Sequence, residues 1–395
     1  MDFREVTVNF EEDDEINALR DTLRRYLSKE CPQDKVDRWD REDFIDRQEL
    51  IRLGDLGVCG LCIPQEYGGL GRKVIAMAVT IEELARCSAG LATYYVMCAA
   101  YGGLNIAESG TPEQKRRLLP ELAAGRLAFS YGLSEPNVGA DLASVETRAE
   151  RHGERIVITG AKRWTSGACM NDYIYTLVRS GPKENRHRNL SFVLIPTKAP
   201  GVRITNLGSM GHNGTPMADV VFEQVELSIE DVIGGETGWN HGWSLLAGPA
   251  LEVEKLGPSA IALGTAEAAL AEAWAYSQDR VQGGKRICAH QAVRHVLAEA
   301  RTQLQACRLM LAHAAWLVQE GRPSAAATSM AKLFVTERAK EMTLACQQQV
   351  MGAYGYAHGF QMQRYVRDVL AIPIYGGSSA IQRNNIANLL HLPRE

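Results

Sequence analysis

The sequence predicts an α+β multidomain protein in three parts: a helical domain over 1–122, a β-barrel or sandwich domain over 123–236, and a C-terminal four-helix-bundle domain over 237–395. Three observations carry this reading. Apolar residues recur at helical spacing through the first 122 positions, as in Ile16, Leu19, Leu23 and Leu27. From about residue 124 the pattern changes to short runs rich in branched and aromatic residues, broken by Gly, Pro, Asn and charged turns. From about Trp239 helical spacing returns and continues nearly unbroken to Leu392, in stretches longer than twenty residues.

Taken in order, an amphipathic helix is expected over 11–28, followed by helices over 48–56, 75–86, 91–104 and 112–123. Thr111-Pro112 is a good helix start, because proline is tolerated in a first turn where its missing N–H has no helical acceptor. Pro64-Gln65-Glu66-Tyr67-Gly68-Gly69-Leu70-Gly71 is the main loop of this part. Strands are expected over 129–133, 155–158, 173–178, 191–195, 202–206 and 219–222, and about seven short strands imply a compact barrel or sandwich.

The composition is that of an ordinary globular chain: 395 residues, 46% hydrophobic and 23% charged. A formal net charge of −4 with no long basic run argues against nucleic acid as the main partner, and Lys115-Arg116-Arg117 reads as a solvated helix face. There is no apolar run long enough to span a membrane and no secretory or transit pattern in the acidic opening MDFREVTVNFEEDDE, so a cytoplasmic protein is expected. Nine scattered cysteines fit free thiols. Cys59 and Cys62 have the spacing of a metal pair, yet no second pair or nearby histidine completes a site, so no metal is expected.

Two of the expected strands end in polar loops, the first at Ser134-Glu135-Pro136 and the second at Trp164-Thr165-Ser166. Each presents hydroxyls at a strand end, with an indole beside the second, and a flat aromatic cofactor can rest there. No Gly-x-Gly-x-x-Gly after a strand and no Walker lysine loop is present, so a nucleotide portion needs another cradle. Ser134-Glu135-Pro136-Asn137-Val138-Gly139-Ala140-Asp141 and Trp164-Thr165-Ser166 together resemble the flavin-binding signature of the acyl-CoA dehydrogenases. The helical, β, helical order extends that resemblance over essentially the whole chain.

The resemblance implies FAD, with contacts from Tyr131, Leu133, Ser134, Trp164 and Ser166 around the flavin and from Arg280, Gln291, Gln349, Gly352 and Ser378 around the nucleotide. Arg280-Val281-Gln282-Gly283-Gly284 stands where the family has Arg-x-x-Phe-Gly, so the aromatic wall is missing; Gln349-Val350-Met351-Gly352-Ala353 stands for Gln-x-x-Gly-Gly. It also implies an acyl-CoA or carrier-bound acyl thioester as substrate, an electron-transfer flavoprotein or other acceptor as partner, and a homotetramer in which a neighbour completes the flavin site.

In many family members a glutamate follows the tyrosine of the C-terminal signature and removes the substrate's α-proton. Here Tyr375 is followed by Gly376. Members of the isovaleryl-CoA type carry the base in a Leu-Asp-Leu-Glu-Arg segment, which in this chain reads Leu251-Glu252-Val253-Glu254-Lys255, so the resemblance assigns the base to Glu254 and an oxyanion-binding N–H to Gly376. Glu252, two residues away, lies about 200° round a helix, so it does not readily present its carboxylate beside that of Glu254. Tyr94, Tyr95, Tyr101, Glu252, Lys255 and Tyr375 are the expected substrate contacts, and the bulk missing at Gly376 implies a short, branched or bulky acyl group. A carrier-protein-linked dehydrogenase, an enoyl-thioester reductase and a non-catalytic subunit of a mixed oligomer are the alternatives.

Overall fold

The computed structural model describes residues 13–246 and 248–393. The expected start of the first helix at Glu11 lies outside the described residues. Helix α1 (Asp14–Glu30) begins where the Asp13 carboxylate accepts the Ile16 N–H at 2.8 Å, which satisfies one of the free donors of the first turn. Helices α2 (Gln33–Glu42), α3 (Arg47–Asp55), α4 (Val74–Cys87) and α5 (Ala89–Val96) follow. Helix α2 is not among the expected helices, because only Val36 and Trp39 of its ten residues are buried and its apolar stripe is thin. The expected single helix over 91–104 is in fact α5, a π-helical segment Met97–Leu104 and the short α6 (Asn105–Ser109). A π segment adds a residue per turn and so rotates the face that follows it. A β-carbon at Gly102 would lie 2.3 Å from Leu122, so this close approach needs glycine.

Helix α7 (Pro112–Ala123) opens with the capping box of Thr111 and Gln114. The Gln114 amide also donates at 2.7 Å to the carbonyls of Glu230 and Val232, which ties the helical domain to the end of the sheet.

The middle of the chain forms one seven-stranded sheet of β1 (Phe129–Gly132), β2 (Arg148–His152), β3 (Arg155–Lys162), β4 (Tyr173–Arg179), β5 (Leu190–Pro196), β6 (Val202–Leu207) and β7 (Met217–Ser228). It is a single curled sheet, the form taken by the compact β domain that the sequence predicts. Strand β4 carries β5 on one edge; on the other it pairs β1 through Phe129 to Gly132 and then β2 at Arg179. The chain between β1 and β2 therefore has to leave the sheet, and this is the Ser134 loop. Alternation sends Tyr175, Leu177, Phe192 and Leu194 toward the helices, while Ile174, Val178, Val193 and Ile195 pack inside the curl.

The remainder is helical: α8 (Gly242–Leu246), α9 (Pro249–Asp279), α10 (Gln291–Gln319), α11 (Ala325–Ala345), α12 (Met362–Ala371) and α13 (Ser379–Leu389). A hairpin of β8 (Val281–Gln282) and β9 (Lys285–Arg286) separates α9 from α10. Helix α9 runs 31 residues and packs on α4 so closely that a β-carbon at Gly264 would lie 2.1 Å from the Glu82 carbonyl oxygen. Buried Glu82 accepts from Arg20 of α1 and Arg308 of α10, and Arg308 also reaches Glu267 of α9, so charges pin four helices together.

Candidate active site

Glu254 lies in the second turn of α9. Its Oε1 accepts the Tyr131 hydroxyl and, at 3.1 Å, the Asn105 amide. Tyr131 comes from β1 and Asn105 from the residue that follows the π segment, so three parts of the chain meet at one carboxyl group. Tyr131 is held in a stack, 4.0 Å from Tyr101 and 5.3 Å from Tyr175 between ring centres. Burial among these rings pushes the Glu254 carboxyl up to about 7, against the two hydrogen bonds that hold it down. A carboxyl poised there exchanges protons near neutrality.

Glu252 points elsewhere. It pairs with Lys255 at 2.9 Å on the same helix and accepts the Thr328 hydroxyl of α11, so the expected substrate contact Glu252 joins α9 to α11 and holds Lys255 beside it. Tyr94 and Tyr95 are also corrections. Both are fully buried, with the Tyr94 hydroxyl bonded to Arg47 at 2.7 Å and the Tyr95 hydroxyl to the Val58 carbonyl at 2.8 Å. They hold the helical domain together, because the face they occupy turns into its core; only Tyr101, beyond the start of the π segment, reaches the Glu254 cluster.

The loop between α12 and α13 arrives from the other side. Gly376 has φ of 61°, and a β-carbon there would stand 3.1 Å from the ring of Pro258. Pro258 is one turn beyond Glu254 on α9, so the fold brings positions 254 and 376 to the same stretch of helix. The neighbouring Tyr375 packs edge-on to His212, 5.6 Å between centres, and its buried hydroxyl has no partner among the described residues.

The strand ends form a second cluster. Trp164 sits at φ 64°, a strained value for a bulky residue, and is 55% exposed with Arg163 over its ring. Beside it the Thr165 hydroxyl is buried without a partner among the described residues. Leu133, Ser134 and Ser166 are partly exposed. A presented indole face, free hydroxyls and an unpaired buried hydroxyl fit the edge and plane of a flavin. Sequence reasoning missed what fixes this geometry: Lys162, fully buried, pairs with Glu135 at 2.8 Å and donates to the Leu133 carbonyl at 3.0 Å. Burial lowers the Lys162 ammonium to about 8. Burial also opposes the Glu135 charge, but Lys162 and the N–H groups of Glu146 and Thr147 hold that carboxylate below its usual range. A lysine within a strand carries no sequence signal for this; it shows only once the end of β3 meets the loop that follows β1.

Four of the expected nucleotide contacts, Arg280, Gln291, Gln349 and Gly352, gather at the far end of α9, whereas Ser378 follows the Gly376 loop near its start. Arg280 caps that helix and lies over the Tyr354 ring at 5.0 Å, which places it beside the Gly352–Tyr356 turn. Gly283 and Gly284, both at positive φ, form the tip of the two-residue β8–β9 hairpin, which explains a glycine where an aromatic residue was expected. Gln291, at the first turn of α10, and Gln349 are exposed, and Gly352 has φ of 57° with open space around it. Ser378 caps α13 by accepting the Ile381 N–H at 3.4 Å. Arg280, Gln291, Gln349 and Gly352 therefore lie at the end of α9 opposite Glu254. Cys59 and Cys62 are buried free thiols, and no metal-binding cluster exists among the described residues.

Comparison with known proteins agrees over the full length. Models of the acyl-CoA dehydrogenase N-terminal, middle and C-terminal domains match residues 13–126, 130–225 and 240–391. The chain belongs to the acyl-CoA dehydrogenase family. A probable acyl-CoA dehydrogenase of Bacillus subtilis is 31% identical over 97% of this chain and 100% of its own length. A cyclohexane-1-carbonyl-CoA dehydrogenase of Geobacter metallireducens is 30% identical, with 96% and 98% covered, and a 3-(aryl)acrylate reductase of Clostridium sporogenes 29% identical, with 93% and 97% covered. The solved glutaryl-coenzyme A dehydrogenase in complex with glutaryl-CoA superposes with a TM-score of 0.92 at 27% identity, covering 98% of each chain. As an acyl-CoA dehydrogenase the protein is an FAD-dependent enzyme that acts on CH–CH bonds. No helix among its described residues is long and apolar enough to cross a membrane.

Proposed function

We propose that the protein introduces an α,β double bond into a wide acyl thioester, branched or cyclic, with Glu254 as the base. The observation that carries this reading is the buried Glu254 carboxyl, held by Tyr131 and Asn105 one helix turn before the Pro258 that packs against Gly376, where this chain has no carboxylate of its own. Glu254 takes the α-proton, and the enolate-like charge that develops on the thioester oxygen is stabilised by the Gly376 N–H, a donor that the loss of a side chain leaves in place. FAD, which Trp164, Ser134 and Ser166 would hold, would supply the two-electron oxidant. Tyr101 and Tyr375 line the acyl side. The missing side chain at Gly376 favours a wide acyl group, and the cyclohexane-1-carbonyl and arylacrylate relatives support it. The reductase among them also keeps the reverse direction open for the same residues, with Glu254 returning a proton.

The same reading divides the chain at 122/123 and 236/237, and includes a cytoplasmic location and an electron-transfer flavoprotein as acceptor. It requires at least a dimer, with a homotetramer expected. The 26 positions from Glu254 to Arg280 amount to about 39 Å along α9. One FAD whose ring lies at Glu254 does not reach that far, so Arg280, Gln349 and Gly352 would serve the flavin of a neighbouring copy. Anaerobic titration with a panel of CoA and carrier-protein thioesters is the decisive experiment. Bleaching of bound flavin by branched or cyclic acyl thioesters is expected; no bleaching by any saturated or unsaturated thioester in either direction would point to a non-catalytic subunit.

A further inference from the structure

We infer that Tyr131 and Asn105 are positioning residues that anchor one oxygen of Glu254 and leave the other, Oε2, to receive the proton. The inference rests on Glu254 being the base. Both donors converge on Oε1, and no hydrogen bond to Oε2 is made among the described residues. Neither donor is free to turn away. The Tyr131 ring is clamped between Tyr101 and Tyr175, and its backbone is in register with Tyr175 on β4. Asn105 is 5% exposed, and its amide also touches the Tyr131 oxygen at 2.5 Å. The π segment is what delivers it: the added residue rotates Asn105 away from the face an uninterrupted helix would give it.

The groups facing Glu254 are the hydroxyls of Tyr101, Tyr131 and Tyr175, the Asn105 amide, and the Glu108 carboxylate one turn further along α6. Burial raises the carboxyl, with a smaller push from Glu108, whereas the two donors lower it. When the α-C–H bond breaks, its electron pair stays on carbon and the proton forms a new O–H bond on Oε2. Oε1 remains an acceptor throughout, so neither anchoring bond has to reorganise during the step.

The test compares Tyr131→Phe and Asn105→Leu with the parent holoenzyme, in the presence and absence of Glu254→Gln. The rate of anaerobic flavin reduction is followed against pH, and the carboxylic acid infrared band that disappears in Glu254→Gln is titrated separately. Removing either donor should move the acid limb and the band midpoint from near pH 7 toward about pH 8, with most of the rate recovered above that. Tyr131→Phe should add little to the slowing already caused by Glu254→Gln. If the limb and the band stay in place in both variants, or if Tyr131→Phe slows Glu254→Gln as much as it slows the parent, the positioning role is overturned. If Glu254→Gln alone reduces its flavin at the parent rate, the base assignment has failed first. Should Tyr131→Phe lose its flavin, Asn105→Leu and the infrared titration still decide.

Discussion

At the scale of single residues, the site turns on one carboxyl whose neighbours set its chemistry. Glu254→Gln keeps shape and hydrogen bonding but cannot accept a proton, so rapid mixing should show flavin reduction slowed by about 10² to 10⁴-fold. Glu252→Gln should cost far less, because Glu252 faces Lys255 and Thr328. The pH dependence carries a definite sign. A carboxyl raised to about 7 in the folded protein from an ordinary 4.5 contributes stability below the unfolded value and loses it as pH rises through the folded one. Activity, which needs the ionised form, should rise over the same range. Glu254→Gln should therefore melt higher than the parent at pH 8 by an amount worth at most about 3 kcal/mol, and the gap should shrink toward pH 5. Equal melting differences at both values would count against a raised carboxyl.

At the scale of elements, the decisive features are junctions. Strands β1 and β3 are locked at their ends by the buried Lys162–Glu135 pair. Lys162→Met leaves the Glu135 carboxylate buried with fewer donors, so a loss of about 3–5 kcal/mol is expected, measured by chemical denaturation, together with weaker flavin retention. The loop at Gly376 is equally constrained. With φ of 61° and Pro258 3.1 Å from the position of a β-carbon, Gly376→Ala should destabilise by about 1–2 kcal/mol. Moving the carboxylate by combining Glu254→Gly with Gly376→Glu should for the same reason restore only a small part of the rate lost on removing Glu254, as stopped-flow reduction would reveal. The π segment shows why element boundaries were hard to read. Residues 91–104 have continuous helical apolar spacing, and nothing in that spacing marks the extra residue per turn.

At the scale of the whole molecule, α9 sets the proposed nucleotide contacts at Arg280 about 39 Å from Glu254, and the proposed shared flavin site follows from that separation. Arg280→Ala should release FAD without altering the pH profile of whatever holoenzyme remains, because Arg280 lies at the opposite end of α9 from Glu254. Flavin-loaded protein should sediment as a dimer or tetramer of the 43.4 kDa chain. A flavin-loaded monomer would contradict the shared site.

The sequence by itself determined the order of the three parts, the hydroxyl-bearing strand ends and the divergence of Glu252 from Glu254, while the flavin reading and the candidate base came from its resemblance to the acyl-CoA dehydrogenases. These are local patterns: periodicity in Ile16 to Leu27, hydroxyls at Ser134 and Ser166, and two glutamates at a spacing that sends them to different faces. The helix spacing alone separated Glu252 from Glu254, but only the tertiary structure decided what each one meets. The burial of Tyr94 and Tyr95 in the helical core, the Lys162 lock, and the convergence of Tyr131 and Asn105 on Glu254 join residues up to 149 positions apart. Such contacts depend on how a sheet edge, a π turn and a long helix pack together, and carboxyl ionisation depends on that packing because desolvation and hydrogen bonds act only between groups brought into contact.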